Sequence, residues 1–267
     1  GIYSGYAVVP LVGGGTNCSE YELLSSNSMY ELSSASPFSL LDLSEANSIV
    51  RYLKSLGYFS AAMHCYSAEN YARNTAYPAL GFDEIYLGKD CFTYHTYGNR
   101  EWLDRDNYED LLRIYHNAGD SPRFMYLLTF QNHGGYKQNE PEKDTGRISA
   151  DLGQYTDEVD EYLTSVQSCA EGFRYLIDEL SDNERPVIVL MVGDHEPSFI
   201  SELPVSGKGY NSSVVQRTVP YFVWSNRDLN TETLSDIATL TDLIPMLLDA
   251  LDMPLSSYYR LINELRL

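Results

Sequence analysis

Four short apolar runs, each followed at once by polar or glycine-rich sequence, constrain this chain most: Tyr6–Val12, Tyr58–Met63, Phe124–Phe130 and Val187–Val192. Runs of this length with such punctuation predict buried core strands. A fifth run, Val219–Trp224, is placed to pair with them. Between them lie helical patterns. The clearest is Thr156–Leu180, where Val159, Leu163, Val166, Ala170, Phe173, Ile177 and Leu180 recur at three- and four-residue steps. Another helix is expected from Asp42, which forms a capping-box pattern with Glu45, through Ile49, Leu53 and Leu56 to a stop at Gly57. A third spans Ile237–Leu251, with Pro245 expected to kink or break it. Strands alternating with helices imply an α/β fold with a mainly parallel central sheet, flanked by helices on both faces. Such sheets bind ligands beyond the carboxyl ends of their strands.

With 267 residues, 43% of them hydrophobic, and no repeat or linker, the chain is read as one continuous domain. Its net charge of -20 excludes nucleic acid as a partner and disfavours a bare anionic membrane surface. An anionic substrate would then need local cations, and a bound divalent metal supplies them economically. No stretch reaches the roughly 18 to 20 apolar residues of a membrane span, and no signal peptide opens the chain. The start at Gly1-Ile2-Tyr3 reads as an excised or processed piece of a longer protein. Cys18, Cys65, Cys91 and Cys169 show no C-x-x-C or zinc spacing; their even number permits a disulfide, with buried free thiols as the alternative.

The chemistry lies at the strand ends. After the first run, Gly13-Gly14-Gly15 presents the hydroxyl of Thr16 at the start of an expected helix, where free N–H groups favour an anion; an ordinary glycine-rich turn is the plainer reading. After the second stand His64 and, nine residues on, Arg73, whose planar fork suits phosphate or sulfate. After the third, Gln131-Asn132-His133-Gly134-Gly135 is a polar cluster on a buried strand. After the fourth, Asp194 and His195 are the oxygen and nitrogen ligands expected for zinc or manganese. Taken singly, each has a structural reading. Convergence changes this: all four strand ends carry such residues, and three of the five histidines sit there. His95 and His116 lack that context and are read as structural or surface residues.

These segments resemble the lipoteichoic acid synthase family, the sulfatase-like phosphoglycerol transferases of bacterial envelopes within the alkaline phosphatase superfamily. Gly-Gly-Gly-Thr16-Asn-Cys-Ser-Glu looks like the family's nucleophile segment. Met63-His64 with Tyr71-x-Arg73-Asn74 resembles its substrate-binding pattern, with Tyr71 where the family commonly has Trp. Thr-Phe-Gln-Asn-His133-Gly-Gly-Tyr looks like the second substrate histidine, and Val-Gly-Asp194-His195-Glu-Pro the late metal motif. The tail from Leu240 to Leu265, with Met253-Pro254-Leu255 and Tyr258-Tyr259, is similar too. The resemblance implies an alkaline-phosphatase or sulfatase-like fold over residues 1–267, lacking the family's first strand with its acidic metal ligand and any N-terminal membrane anchor. It implies one divalent ion, manganese ahead of zinc or magnesium, held by Thr16, Asp194 and His195, and weak metal binding and poor activity for the chain as given.

The implied reaction is a two-step displacement at the extracellular face of the bacterial cell membrane. Thr16 attacks the phosphodiester of a glycerophospholipid headgroup or teichoic-acid-like polymer, giving a phospho-threonine. His64, Tyr71, Arg73 and His133 bind substrate, the basic pair gripping the phosphate, and His133 protonates the departing alcohol. The rivals are phosphoethanolamine transfer, phosphodiester hydrolysis, a sulfatase, for which no cysteine carries the C/S-x-P-x-R pattern, and a non-catalytic module binding an anionic glycan or headgroup.

Overall fold

A computed structural model describes residues 1–93, 95–97, 100–117, 119–136, 153, 156–203 and 215–266. In chain order the elements begin with β1 (Ile2–Val8), α1 (Thr16–Ser25), α2 (Pro37–Leu40), α3 (Ile49–Ser55), β2 (Phe59–His64), α4 (Arg73–Leu80) and β3 (Glu84–Leu87). There follow β4 (Thr96–Tyr97), β5 (Arg100–Glu101), α5 (Asp104–Asn117), β6 (Arg123–Leu128) and α6 (Thr156–Ser181). The last are β7 (Ile188–Val192), β8 (Thr218–Ser225), β9 (Ile237–Thr239), α7 (Leu240–Ala250) and α8 (Ser257–Arg266). The chain is α/β, its sheets flanked by helices, and it divides into two compact units.

The first unit comprises Gly1–Leu56, Ala79–Gly81 and Leu180–Leu267. Its sheet has the order β7-β8-β1-β9. β8 is antiparallel to both β7 and β1, while β9 is parallel to β1, so β1, β7 and β9 run one way and β8 alone opposes them. Val219, Tyr221 and Val223, at the two-residue period of a strand, turn into a core shared with Ala7, Val9, Leu240, Leu243 and Met246. The expected helix at 237–251 therefore splits. Ile237–Thr239 pairs with β1 as β9, and the helix starts only at Leu240, where Thr239 and Asp242 form the capping box. It continues through Pro245 because Leu243, Ile244, Met246 and Leu248 are buried on its core face. The helix expected from Asp42 starts later as well. Asp42 instead accepts from the backbone N–H and hydroxyl of Ser44, and Ser48 caps α3 by accepting from Val50 and Arg51.

The second unit comprises Gly57–Pro78 and Phe82–Glu179. Its main sheet, β3-β2-β6, is wholly parallel, with Met63 opposite Leu127 and Tyr86, and His64 opposite Leu128 and Leu87. One face buries Met63 and Cys65 with Phe92, Trp102 and Ile114. Aromatic pairs among Tyr77, Phe82, Phe124 and Tyr126 form a second cluster. All four cysteines are free thiols. Among the described residues no helix is long and apolar enough to cross a membrane.

Candidate active site

The seven residues singled out in the sequence fall into two groups, one in each unit. In the first unit, β1 and β7 point the same way, so their carboxyl ends lie at one edge of the sheet. Gly13 (φ 69°) and Gly15 (φ 82°) turn the chain after β1 into the left-handed region, and a Cβ on Gly15 would sit 2.5 Å from Leu11 Cδ1. Thr16 is thus the first residue of α1, at the end where helical N–H groups lack intrahelical partners. Its Oγ1 donates to Asp194 Oδ2 at 2.7 Å and lies 3.5 Å from His195 Nε2. Ser19, one turn on, donates to the Asp194 carbonyl at 2.5 Å and ties the two segments together.

The imidazole of His195 is oriented by its own backbone. Nδ1 lies 2.8 Å from the Glu196 carbonyl, which can only accept, so the neutral ring carries its hydrogen on Nδ1. The Nε2 lone pair then faces Asp194 Oδ2 at 3.2 Å. Two acceptors with one threonine hydrogen among them form an electron-rich corner. Ligand atoms about 2.0–2.2 Å from one ion stand roughly 3 Å apart at right angles. The separations of 2.7, 3.2 and 3.5 Å fit that requirement. Among the described residues no group of three or more His, Cys, Asp and Glu side chains could hold a metal ion, so a cation at this corner would need the hydroxyl of Thr16 as its third protein ligand.

In the second unit the group forms beyond the parallel ends of β2 and β6. His64 is 2% exposed, and its Nδ1 meets the Leu128 carbonyl at 3.0 Å. Burial, then the charge of Arg73, with a smaller contribution from His133, pushes its pKa down to about 4 against the opposing hydrogen bond to Leu128. Arg73 is 1% exposed, the largest fully buried side chain among the described residues, and its Cζ lies 5.1 Å from the Tyr71 ring centroid. Tyr71 (φ 55°) and Ala72 (φ 57°) are consecutive non-glycine residues in the left-handed region, a strain of the kind that collects at functional sites. The exposed His133 ring stacks on Phe130 at 4.6 Å and 16°, while Phe130 stacks on Tyr66 at 4.5 Å and 5° and meets His64 edge-on at 6.1 Å. Asn132 accepts from Ser165 Oγ at 2.6 Å, and Gln131 Oε1 accepts from the Asp104 N–H at 2.8 Å, so polar bonds from α6 and α5 hold the turn carrying His133.

Sequence reading missed Ser19, Tyr66, Phe130 and the two carbonyls. Ser19 and Phe130 sit inside the quoted motifs and Tyr66 two residues after His64; a carbonyl leaves no side-chain signal. His95 pairs with Asp106 at 3.1 Å and belongs to neither group.

Comparison with known proteins bears on this arrangement. The profile described as "Sulfatase" matches residues 3–253. The chain belongs to the sulfatase family. A Rhizobium meliloti (strain 1021) protein named for modification of cyclic beta-1,2-glucan is 24% identical over 239 residues, 85% of this chain and 37% of that protein. Lipoteichoic acid synthase 2 of Bacillus subtilis (strain 168) is 25% identical over 255 residues, 90% of this chain and 38% of that protein. The chain thus spans less than two fifths of the length of these curated relatives. The structure of Streptococcus pyogenes phosphoglycerol transferase GacH, in complex with sn-glycerol-1-phosphate, superposes with a TM-score of 0.76 at 22% identity, covering 98% of this chain and 68% of that one. The fold is therefore that of the sulfatase-like phosphoglycerol transferases.

Proposed function

We propose that this chain carries the catalytic residues of a metal-dependent phosphotransferase that cleaves a lipid-headgroup phosphodiester through a phospho-threonine. The carrying observation is the meeting of Thr16 Oγ1 with Asp194 Oδ2 and His195 Nε2 at 2.7 and 3.5 Å. Thr16, Asp194 and His195 would hold one divalent ion, manganese ahead of zinc or magnesium. Bound there, such an ion acts as a Lewis acid and lowers the pKa of a coordinated hydroxyl.

The remaining chemistry belongs to the chain. Thr16 Oγ1 forms the new P–O bond as the bond to the lipid alcohol breaks, its proton leaving along the existing hydrogen bond toward Asp194. Arg73 offers its guanidinium donors to the phosphoryl oxygens. His133 gives a proton to the departing alcohol, then takes one from the acceptor hydroxyl that displaces Thr16. The names of the relatives and the fold neighbour support a glycerophospholipid headgroup or teichoic-acid-like polymer as substrate, at the extracellular face of the bacterial cell membrane.

Thr16→Ala is expected to lower phosphoglycerol release on the order of 10³-fold or more, and acid-quenched wild type to carry headgroup phosphate on Thr16 by mass spectrometry. Turnover retained by Thr16→Ala would sink the reading.

A further inference from the structure

Resting on that reading, we infer that Ser19 is the positioning residue of the cation corner: its hydroxyl holds the peptide unit between Asp194 and His195, and so aims both side chains at Thr16 ahead of any ion. Ser19 Oγ donates to the Asp194 carbonyl at 2.5 Å, across 175 positions of chain, and the residue is 5% exposed. The choice of partner is informative. A serine inside a helix commonly bonds back to the carbonyl four residues before it, as Ser25 does with Tyr21 at 2.6 Å on the same helix. Ser19 forgoes that local bond, and α1 carries a weaker helix former than alanine for the sake of a contact outside the helix.

Planarity makes the rest follow. The Asp194 C=O, the His195 N–H and the two flanking Cα atoms move as one body. A bond that holds the oxygen limits rotation on both sides, and the two side chains that face Thr16 hang from the two ends of that body. The residue before is held as well: the Gly193 N–H donates to the Pro220 carbonyl at 3.1 Å, and a Cβ on Gly193 would stand 3.0 Å from Val219 Cβ. Thr16 and Ser19, three apart, lie on one face of α1. That face grips Asp194 twice, by its carboxylate and by its carbonyl. The two grips differ in kind. Thr16 must surrender its hydrogen bond when its oxygen joins phosphorus, whereas the Ser19 bond involves no reacting atom and persists throughout.

The test is calorimetric titration of wild type, Ser19→Ala and Ser19→Thr with manganese alone, beside ¹⁵N–¹H and carbonyl ¹³C spectra of the metal-free proteins and urea unfolding. Ser19→Ala should weaken manganese binding about tenfold at unchanged stoichiometry, the scale of one hydrogen bond. Ser19→Thr keeps the hydroxyl and should recover most of that loss. Alanine is the stronger helix former, so a weakened α1 cannot account for the result. In metal-free wild type the His195 amide and the Asp194 carbonyl should each give one signal, and in Ser19→Ala both should broaden or split as the peptide unit rotates. Split signals in wild type overturn the assignment whether or not a variant folds. Equal manganese affinity in wild type and Ser19→Ala overturns it and leaves the phosphotransferase reading standing, and so does a loss of affinity that follows urea stability with the His195 amide unmoved. Wild type that takes up no manganese overturns both.

Discussion

In both units a histidine gives its Nδ1 hydrogen to a main-chain carbonyl, Glu196 for His195 and Leu128 for His64, yet the freed Nε2 atoms meet opposite company. In the first unit the lone pair faces a carboxylate oxygen and a hydroxyl. In the second it is buried beside a guanidinium, where positive charge is already supplied. The residue type is the same and the tautomer is the same. The company each imidazole keeps is set by its neighbours, a carboxylate and a hydroxyl in one case and a guanidinium in the other.

The comparison can be broken most decisively at Asp194. Asp194→Ala should abolish divalent-ion uptake by calorimetry and lower turnover on the order of 10³-fold; unchanged metal content would remove the electron-rich corner from the account. A smaller loss is expected at the cationic side. Arg73→Lys keeps the charge but not the planar fork, and should lower kcat/KM roughly 10- to 100-fold with metal uptake unchanged. An equal loss of metal would show that the two groups are not chemically separable.

Acid stability sharpens the contrast. The ordinary imidazole pKa of 6.5 falls to about 4 in folded His64. Between those values the unfolded chain binds more protons, so stability declines as pH falls through that window, by at most about 3 kcal/mol from this group. Burial pushes Asp104 and Glu22 up to about 6, and these acids act in the opposite sense across much of the same range. The diagnostic quantity is thus the difference between wild type and His64→Gln in urea unfolding at pH 7 and pH 4.5. The variant should lose less stability on acidification, and parallel losses would contradict a buried neutral ring. The smallest effect is expected at Gly15→Ala, about 1–2 kcal/mol of strain from the left-handed backbone, with turnover falling as Thr16 shifts.

Much of this was legible because strand ends and chemistry coincide. The five apolar runs became β1, β2, β6, β7 and β8, with boundaries shifted most at β1, which begins at Ile2 and ends at Val8. Thr16, Asp194 and His195 were readable as neighbours because all three follow buried strands. The direction of β8 was not, since local alternation is the same for parallel and antiparallel partners. Nor was β9, whose Ile-Ala-Thr opens an apolar stretch that suits a helix and becomes a strand only by pairing with β1. The surroundings of His64 could not be read from residue type alone. A basic residue beside an arginine suggested a second positive grip on phosphate; its burial and the Leu128 carbonyl at its Nδ1 leave no trace in the sequence.

β8 lies between β1 and β7, so two inter-strand spacings, about 10 Å in all, separate the strands that deliver Thr16 and Asp194. Sheet pairing alone cannot bring a hydroxyl to a carboxylate across that span; the turn through Gly13–Gly15 and the first residue of α1 must reach over it. Adjustment of the distance between Thr16 and Asp194 is thereby delegated to a few loop positions. Lengthening or shortening that turn would alter the reach between hydroxyl and carboxylate without disturbing a single rung of the ladder beneath.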